Sequence, residues 1–153
     1  MDTSRLTPAN SIEGEDDQET VLLREMLVEA RGFIQSFRWC REISEEHLGF
    51  GVGKLFAVFL FRFATAVHGT DEYLWVVVGD LPSAYFVTDD APTPRSAAEV
   101  YCRLMQDWVS AVLSKAPLDD VYPVQADATD EMAEKLDSRL RFIRERIIPT
   151  MSE

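Results

Sequence analysis

Residues 49–61 read GFGVGKLFAVFLF, and this stretch decides the fold of the 153-residue chain. Glycines stand at every second position up to Lys54, and an almost unbroken apolar run follows. A phosphate-binding loop, a membrane-spanning segment and a buried β-strand would each fit part of this pattern. Each of the three needs particular residues at fixed spacing, so the flanking sequence can separate them.

The spacing around Lys54 excludes a phosphate-binding loop. Such a loop needs Gly-x-x-x-x-Gly-Lys-Ser/Thr between a strand and a helix. The chain has Leu48 where the first glycine is required, and Leu55 where Ser or Thr is required. The loop is also expected to lead into a strand, so it lacks the free N–H groups of a helix amino terminus that bind phosphate.

The apolar run is too short to span a membrane as a helix. A spanning helix needs about 20 consecutive apolar residues. Lys54 and Arg62 leave an uncharged stretch of only 7 residues between them. A charge at the bilayer centre costs roughly 3 kcal/mol or more. We therefore predict a β-strand over residues 54–66.

Two more apolar stretches, residues 73–79 and 83–88, are predicted strands joined by short connections. Short connections favour an antiparallel meander. Side chains of a strand alternate between its two faces, and neither face is polar here, since both Phe59 and its neighbour Val58 are apolar. Both faces must therefore be covered. Either the chain's own helices cover them, or a partner or a second copy meets one face or its margin.

The predicted fold class is α+β. Apolar residues at helical spacing predict three main helices over 19–37, 94–115 and 129–148. Thr93 and Pro94 form a strong start signal for the second helix. Residues 39–49 are expected to add further helical turns that end at Gly49. The whole is a three-stranded antiparallel meander (54–66, 73–79, 83–88) packed with these helices.

The first 17 residues are predicted to be an acidic tail that is disordered or loosely packed, because the carboxylates of Glu13, Glu15, Asp16 and Asp17 repel one another. Residues 18–149 are predicted to form a single α+β domain. A chain of this length buries enough surface to hold a core without a metal ion or a disulfide.

Composition limits the partners and the compartment. The net charge of −12 disfavours binding to nucleic acid and to anionic membranes, and it suits a basic protein partner. The amino terminus has no apolar run typical of a secretory signal, and Cys40 and Cys102 are predicted to be reduced thiols, so a cytoplasmic location is expected. Isolated cysteines and only two histidines predict neither a metal site nor a cofactor.

Four carboxylates are the candidate site. Asp71 and Glu72 follow the first predicted strand, and Asp89 and Asp90 follow the third, so strand direction places all four at one end of the sheet. They could hold Mg²⁺ or Ca²⁺, act as an acid/base pair, contact a partner, or be ordinary loop and helix-capping residues. We predict a partner-binding acidic patch and assign no catalytic residue.

The functional hypothesis is a non-enzymatic acidic binding protein, of the inhibitor or immunity type that antagonises a basic protein. The small size of the chain, the excess of acidic residues over 71–134 and the lack of an assembled catalytic motif favour this class, by analogy alone. The alternatives are a homodimeric adaptor or structural domain and, least favoured, a small enzyme that depends on carboxylates or a metal ion.

Overall fold

A computed structural model describes residues 1–152 as a five-stranded antiparallel sheet with helices on both faces. The strands follow one another in the sheet in chain order, and they are β1 (Thr7–Pro8), β2 (Ile43–Val52), β3 (Phe56–Val67), β4 (Asp71–Gly79) and β5 (Ala84–Val87). The main helices are α1 (Asp17–Gln35), α2 (Pro94–Leu113) and α3 (Asp130–Phe142). The predicted α+β class is confirmed, and the three predicted strands correspond to β3, β4 and β5.

The predicted number of strands is wrong, because residues 43–52 form β2 where helical turns ending at Gly49 were expected. β2 pairs with β3 along its length, and this pairing outweighs the helical preference of its Glu-Glu pair. Register shifts between Ile43 and Glu45, and between Leu48 and Phe50, interrupt the pairing. They also interrupt the alternation of apolar residues that would have signalled a strand.

The amino-terminal segment contributes to the sheet and the core. Thr7 and Pro8 form β1 and pair with Leu48 and His47 of β2. Leu6 and Ile12 are buried, although residues 1–17 are predicted to be disordered or loosely packed. A short 3₁₀ helix, Ala9–Ser11, packs beside β2.

Helix α1 covers one face of the sheet. Its amino-terminal cap is Asp16, whose carboxylate accepts a hydrogen bond of 2.8 Å from the Glu19 amide. Its buried residues are Leu23, Met26, Leu27, Ala30 and Ile34, and they share a core with Ala57, Phe59, Phe61, Phe63, Leu74, Val76 and Val78 of the sheet.

Helices α2 and α3 cover the opposite face, where Phe56, Val58, Leu60, Trp75 and Val77 lie. α2 begins at Pro94 after the Thr93 cap, as the Thr-Pro signal predicted. Thr93 and Ser96 also form a reciprocal capping box there. After Phe142 the last helix continues as a π-helical segment, Ile143–Ile147. The chain's own helices therefore cover both faces. No helix within residues 1–152 has the length and apolar content needed to cross a membrane.

The two edge strands of the sheet differ in how their outer backbone groups are paired. At β5, the Tyr122 hydroxyl donates to the Tyr85 carbonyl at 2.7 Å and accepts from the Tyr85 amide at 3.0 Å. The side chain of Tyr122 thus takes the place of a neighbouring strand. At the other edge, β1 pairs only with His47 and Leu48, and β2 continues past it through Gly49–Val52.

Gly79 ends β4 in a conformation that few other residues adopt. Its φ is +144°, and a Cβ atom built there would lie 2.3 Å from the carbonyl oxygen of Leu55. The next residue, Asp80, donates its amide to that same carbonyl at 3.0 Å. Glycine therefore allows the chain to leave β4 in close contact with the start of β3.

Candidate binding surface

The four predicted site residues lie at one end of the sheet. Antiparallel pairing of β4 with β5 places the start of β4, with Asp71 and Glu72, beside the end of β5, which leads to Asp89 and Asp90. Within residues 1–152, no three His, Cys, Asp or Glu side chains are grouped closely enough to hold a metal ion. The structure thus places the four residues at the same end without forming a ligand set for a metal.

Two of the four carboxylates have partners within the fold. Asp71 lies 3.5 Å from the imidazole of His68. Glu72 lies 2.6 Å from the Arg62 guanidinium, which also binds Glu45 at 2.5 Å. These hydrogen bonds raise the pKa of Arg62 above its usual value. Glu45, Arg62 and Glu72 link β2, β3 and β4, so the charge of Glu72 is paired within the fold. Asp89 and Asp90 are exposed.

A second acidic cluster lies at the start of α1. Five of the seven residues from 13 to 19 are acidic and none is basic; these five are Glu13, Glu15, Asp16, Asp17 and Glu19. Among the described residues, no Lys, Arg or His nitrogen lies within 4.0 Å of these carboxylates. Their negative charge is therefore available to groups outside the chain.

Hydrogen bonds hold this segment against the first turn of α1. The Gly14 amide donates to the Thr20 hydroxyl at 2.8 Å, and that hydroxyl donates to the Asp16 carbonyl at 3.0 Å. The Glu19 carboxylate accepts from the Gly53 amide at 3.2 Å, which ties the helix start to the β2–β3 turn. Asp16 and Glu19 thus have structural contacts, and the carboxylates of Glu13, Glu15 and Asp17 are left at the surface.

An acidic cleft of about 730 Å³ separates this segment from β2. Its apolar lining includes Leu22, Leu48 and Phe50, which are half-buried, and Val52, which is 38% exposed. Its charged lining is Glu13, Glu15, Asp16 and Glu19. A surface with carboxylates along one side and apolar groups beside them suits side chains that have an apolar stem and a cationic tip.

The backbone of β2 also borders the acidic cleft. The Val52 carbonyl accepts a hydrogen bond from Leu55 in the turn towards β3. Successive residues of an antiparallel strand direct their amide and carbonyl groups to opposite edges. Alternation therefore directs the amide and carbonyl of Gly51 to the outer edge, beyond the reach of β1.

A smaller cleft of about 350 Å³ lies between α2, α3 and the β4–β5 turn. Trp108, Met132 and Leu136 form much of its apolar lining. At its rim the Arg139 guanidinium lies 2.9 Å from the Asp80 carboxylate. Lys135 also lines this cleft, so its charged groups are of both signs, whereas those of the acidic cleft are all negative.

Comparison with known proteins gives no match: no family model, no curated protein and no solved structure is detectably similar to this chain.

The acidic cleft was missed in the sequence because its two sides lie in segments that were interpreted differently. Glu13 and Glu15 lie in the predicted tail, and Phe50 and Val52 lie in the glycine-rich loop that is expected to lead into the first predicted strand. The high density of acidic residues just before the start of α1 is a sequence signal for one side of the cleft. The sequence gives no signal for the other side, because the position of that side depends on β2.

His47 is the one buried polar side chain of the described core, and it predicts a pH dependence of stability. It is 7% exposed, its Nδ1 has no hydrogen-bond partner within residues 1–152, and its Nε2 lies 3.7 Å from the Glu45 carboxylate. Burial lowers the pKa of His47 below its usual 6.5, against the opposing effect of Glu45.

We expect this histidine to weaken the fold as the pH falls. The unfolded state takes up a proton near pH 6.5, and the folded state does so only at lower pH, so the contribution is complete above pH 6.5 and is lost below it. Each unit of difference between the two pKa values corresponds to about 1.4 kcal/mol. Urea unfolding at about pH 7.5 and pH 5 should show a smaller loss for His47→Leu than for the native chain.

The matched control is His68→Asn, which removes an exposed histidine at a positive φ of 51° that asparagine accepts. Between the two pH values it should lose more stability than His47→Leu does. An equal loss of stability in the native chain and in His47→Leu would contradict the role of His47.

Proposed function

We propose that this protein binds a basic protein partner without catalysing a reaction, as an inhibitor or antagonist of that partner. The observation that carries the proposal is the acidic cleft, whose rim carboxylates have no cation within the described chain and whose lining includes half-buried apolar groups. A partner with cationic side chains would neutralise the rim and cover the apolar lining in one contact.

The charge of the whole chain supports the same partner class. A net charge of −12 attracts a basic protein over several ångströms and repels nucleic acid and anionic lipid. Complementary charge raises association rates from roughly 10⁵–10⁶ to as much as about 10⁹ M⁻¹s⁻¹ at low salt. The acidic patch predicted at Asp71, Glu72, Asp89 and Asp90 is a second contact region under this proposal, with Asp89 and Asp90 the more accessible pair.

We also propose a cytoplasmic location. Cys40 and Cys102 are free thiols, and Cys102 is buried on the core-facing side of α2. Burial raises the pKa of Cys102 to about 11, which keeps it protonated and unreactive near neutral pH. Unpaired cysteines of this kind are typical of reducing compartments.

The proposal predicts a strong effect of salt on the association rate. The partner is first captured from the native host on the immobilised chain, and its purified form is then mixed with the chain in a stopped-flow instrument. Between about 0.1 M and about 1 M salt the Debye length falls from about 10 to about 3 Å. We expect the association rate to fall by at least about tenfold, and the dissociation rate to change less.

An association rate that is insensitive to salt would contradict the electrostatic basis of the proposal. The homodimeric adaptor and the carboxylate-dependent enzyme stay predictions of the sequence. Because helices cover both faces of the sheet, an adaptor would have to use another surface.

A further inference from the structure

We infer that the outer edge of β2 at Gly49–Val52 accepts an extended, basic segment of the partner as an added β-strand. The inference rests on the proposed function, and it assigns the contact to the acidic cleft. Main-chain hydrogen bonds would then provide affinity, and the acidic rim would select Lys and Arg side chains.

The first argument is that this is an open portion of a sheet edge. An unpaired strand edge presents amide and carbonyl groups that pair readily with another chain, and proteins usually cover it. The Tyr122 hydroxyl occupies the edge of β5 at Tyr85, and β1 occupies β2 at His47 and Leu48. Gly49–Val52 extends beyond the end of β1, and its last three residues, Phe50, Gly51 and Val52, border the acidic cleft. Gly49 and Phe50 also border a separate pocket beside Asp2, Arg5 and Leu6.

The second argument is access to the backbone at Gly51. A Cβ atom at this position would lie 2.5 Å from the Leu23 side chain of α1, so the absence of a side chain lets α1 pack closely on the strand. The helix start, with its carboxylates, is thereby held next to the strand edge. The main-chain groups of Gly51 and the charges of Glu13 and Glu15 border one cleft.

The third argument concerns the chemistry of the occupant. A strand paired with four residues of β2 spans about 13 Å. Alternate side chains of an added strand point to opposite faces, and those on the α1 side would approach Leu22, Leu48 and the acidic rim. Lys and Arg combine an apolar stem with a cationic tip, so they match both parts of this lining.

The test uses a synthetic peptide of about eight residues in which Lys and Val alternate, a length typical of natural strands. We expect it to bind the native chain and to protect the amides of Gly49–Val52 from hydrogen exchange. Glu13→Lys combined with Glu15→Lys should weaken binding by at least about tenfold, because four units of charge change at the rim. Asp16 and Glu19 stay unchanged in this variant, so the cap and the Gly53 contact are kept.

The matched control is Asp89→Lys combined with Asp90→Lys, which makes the same change of charge at the other acidic region. It should alter peptide binding by less than about threefold. If this control weakens binding and the variant at Glu13 and Glu15 does not, the assignment to the acidic cleft is overturned, and the proposed function stands with the other region as the contact.

Backbone methylation tests whether the segment binds as a strand. Two further peptides carry N-methyl groups on alternate residues, one on the odd and one on the even positions. A strand pairs through one edge, so one methylated peptide should lose binding and the other should keep it. Equal binding of all three peptides would overturn strand addition. If neither the peptide nor the captured partner binds in a salt-dependent manner, the proposed function itself fails.

Discussion

Trp75→Ala should lower the free energy of unfolding by about 3–5 kcal/mol, the largest effect that we expect from a single substitution in this chain. Trp75 lies in the middle of β4, opposite Leu60 of β3 and Phe86 of β5, and it is fully buried. Its indole N–H donates to the Ala91 carbonyl at 2.7 Å. Truncation therefore leaves a large cavity and an unpaired carbonyl in the core.

Two further variants separate these contributions. Trp75→Phe keeps most of the apolar volume and removes the hydrogen bond to Ala91, so we expect a loss of about 1–3 kcal/mol. Trp39→Ala makes the same truncation at a half-buried residue that stacks on Phe37, and it should cost about 1 kcal/mol.

Urea unfolding monitored by far-ultraviolet circular dichroism suits this series, because the substitutions change the tryptophan fluorescence. The Trp75→Ala chain should unfold at a lower urea concentration with an unchanged slope. A Trp75→Ala chain as stable as the Trp39→Ala chain would show that the core does not depend on this indole.

Gly79→Ala should destabilise the fold by about 3 kcal/mol. The backbone conformation at φ +144° costs an alanine roughly 1–3 kcal/mol, and the new methyl group would meet the Leu55 carbonyl at 2.3 Å. Relief of that contact would move the end of β4 away from β3 and weaken the hydrogen bond from the Asp80 amide to Leu55.

Gly32→Ala is the matched control and should have the opposite sign. Gly32 lies inside α1 with no atom within 4 Å of an added Cβ. Alanine there should stabilise the chain by about 0.5–1 kcal/mol through its better helix propensity. Thermal unfolding of both variants gives the comparison, and a shift of both melting temperatures in the same direction would contradict the role assigned to Gly79.

The sequence predicts most of the layered core, for physical reasons that can be named. β3 and β4 carry apolar side chains on both faces, so both faces had to be covered, and the chain's own helices cover them. The Thr93–Pro94 start of α2 was visible because the cap and the first helical residue are adjacent. The meander followed from connections too short for any other pairing.

The elements that the sequence did not predict depend on long-range pairing. β2 has bulges and a Glu-Glu pair, so only its match to the free edge of β3 identifies it as a strand. Leu6 and Ile12 are isolated apolar residues in a polar segment, and isolated residues show no period.

The candidate site could be predicted only in part for the same reason. Strand direction was enough to place Asp71, Glu72, Asp89 and Asp90 at one end of the sheet. The link from Glu72 through Arg62 to Glu45 depends on β2, and so does the acidic cleft. A site bordered by an unpredicted strand cannot be found from local patterns.

The hydroxyl of Tyr122 gives the molecule two unlike margins. A sheet that is open at both sides can polymerise, since each added copy offers a fresh margin to the next and the series becomes a filament. Here the phenol occupies the backbone groups of Tyr85, so copies added in series would find this margin partly blocked. The two unlike margins therefore disfavour filament growth by repeated strand addition.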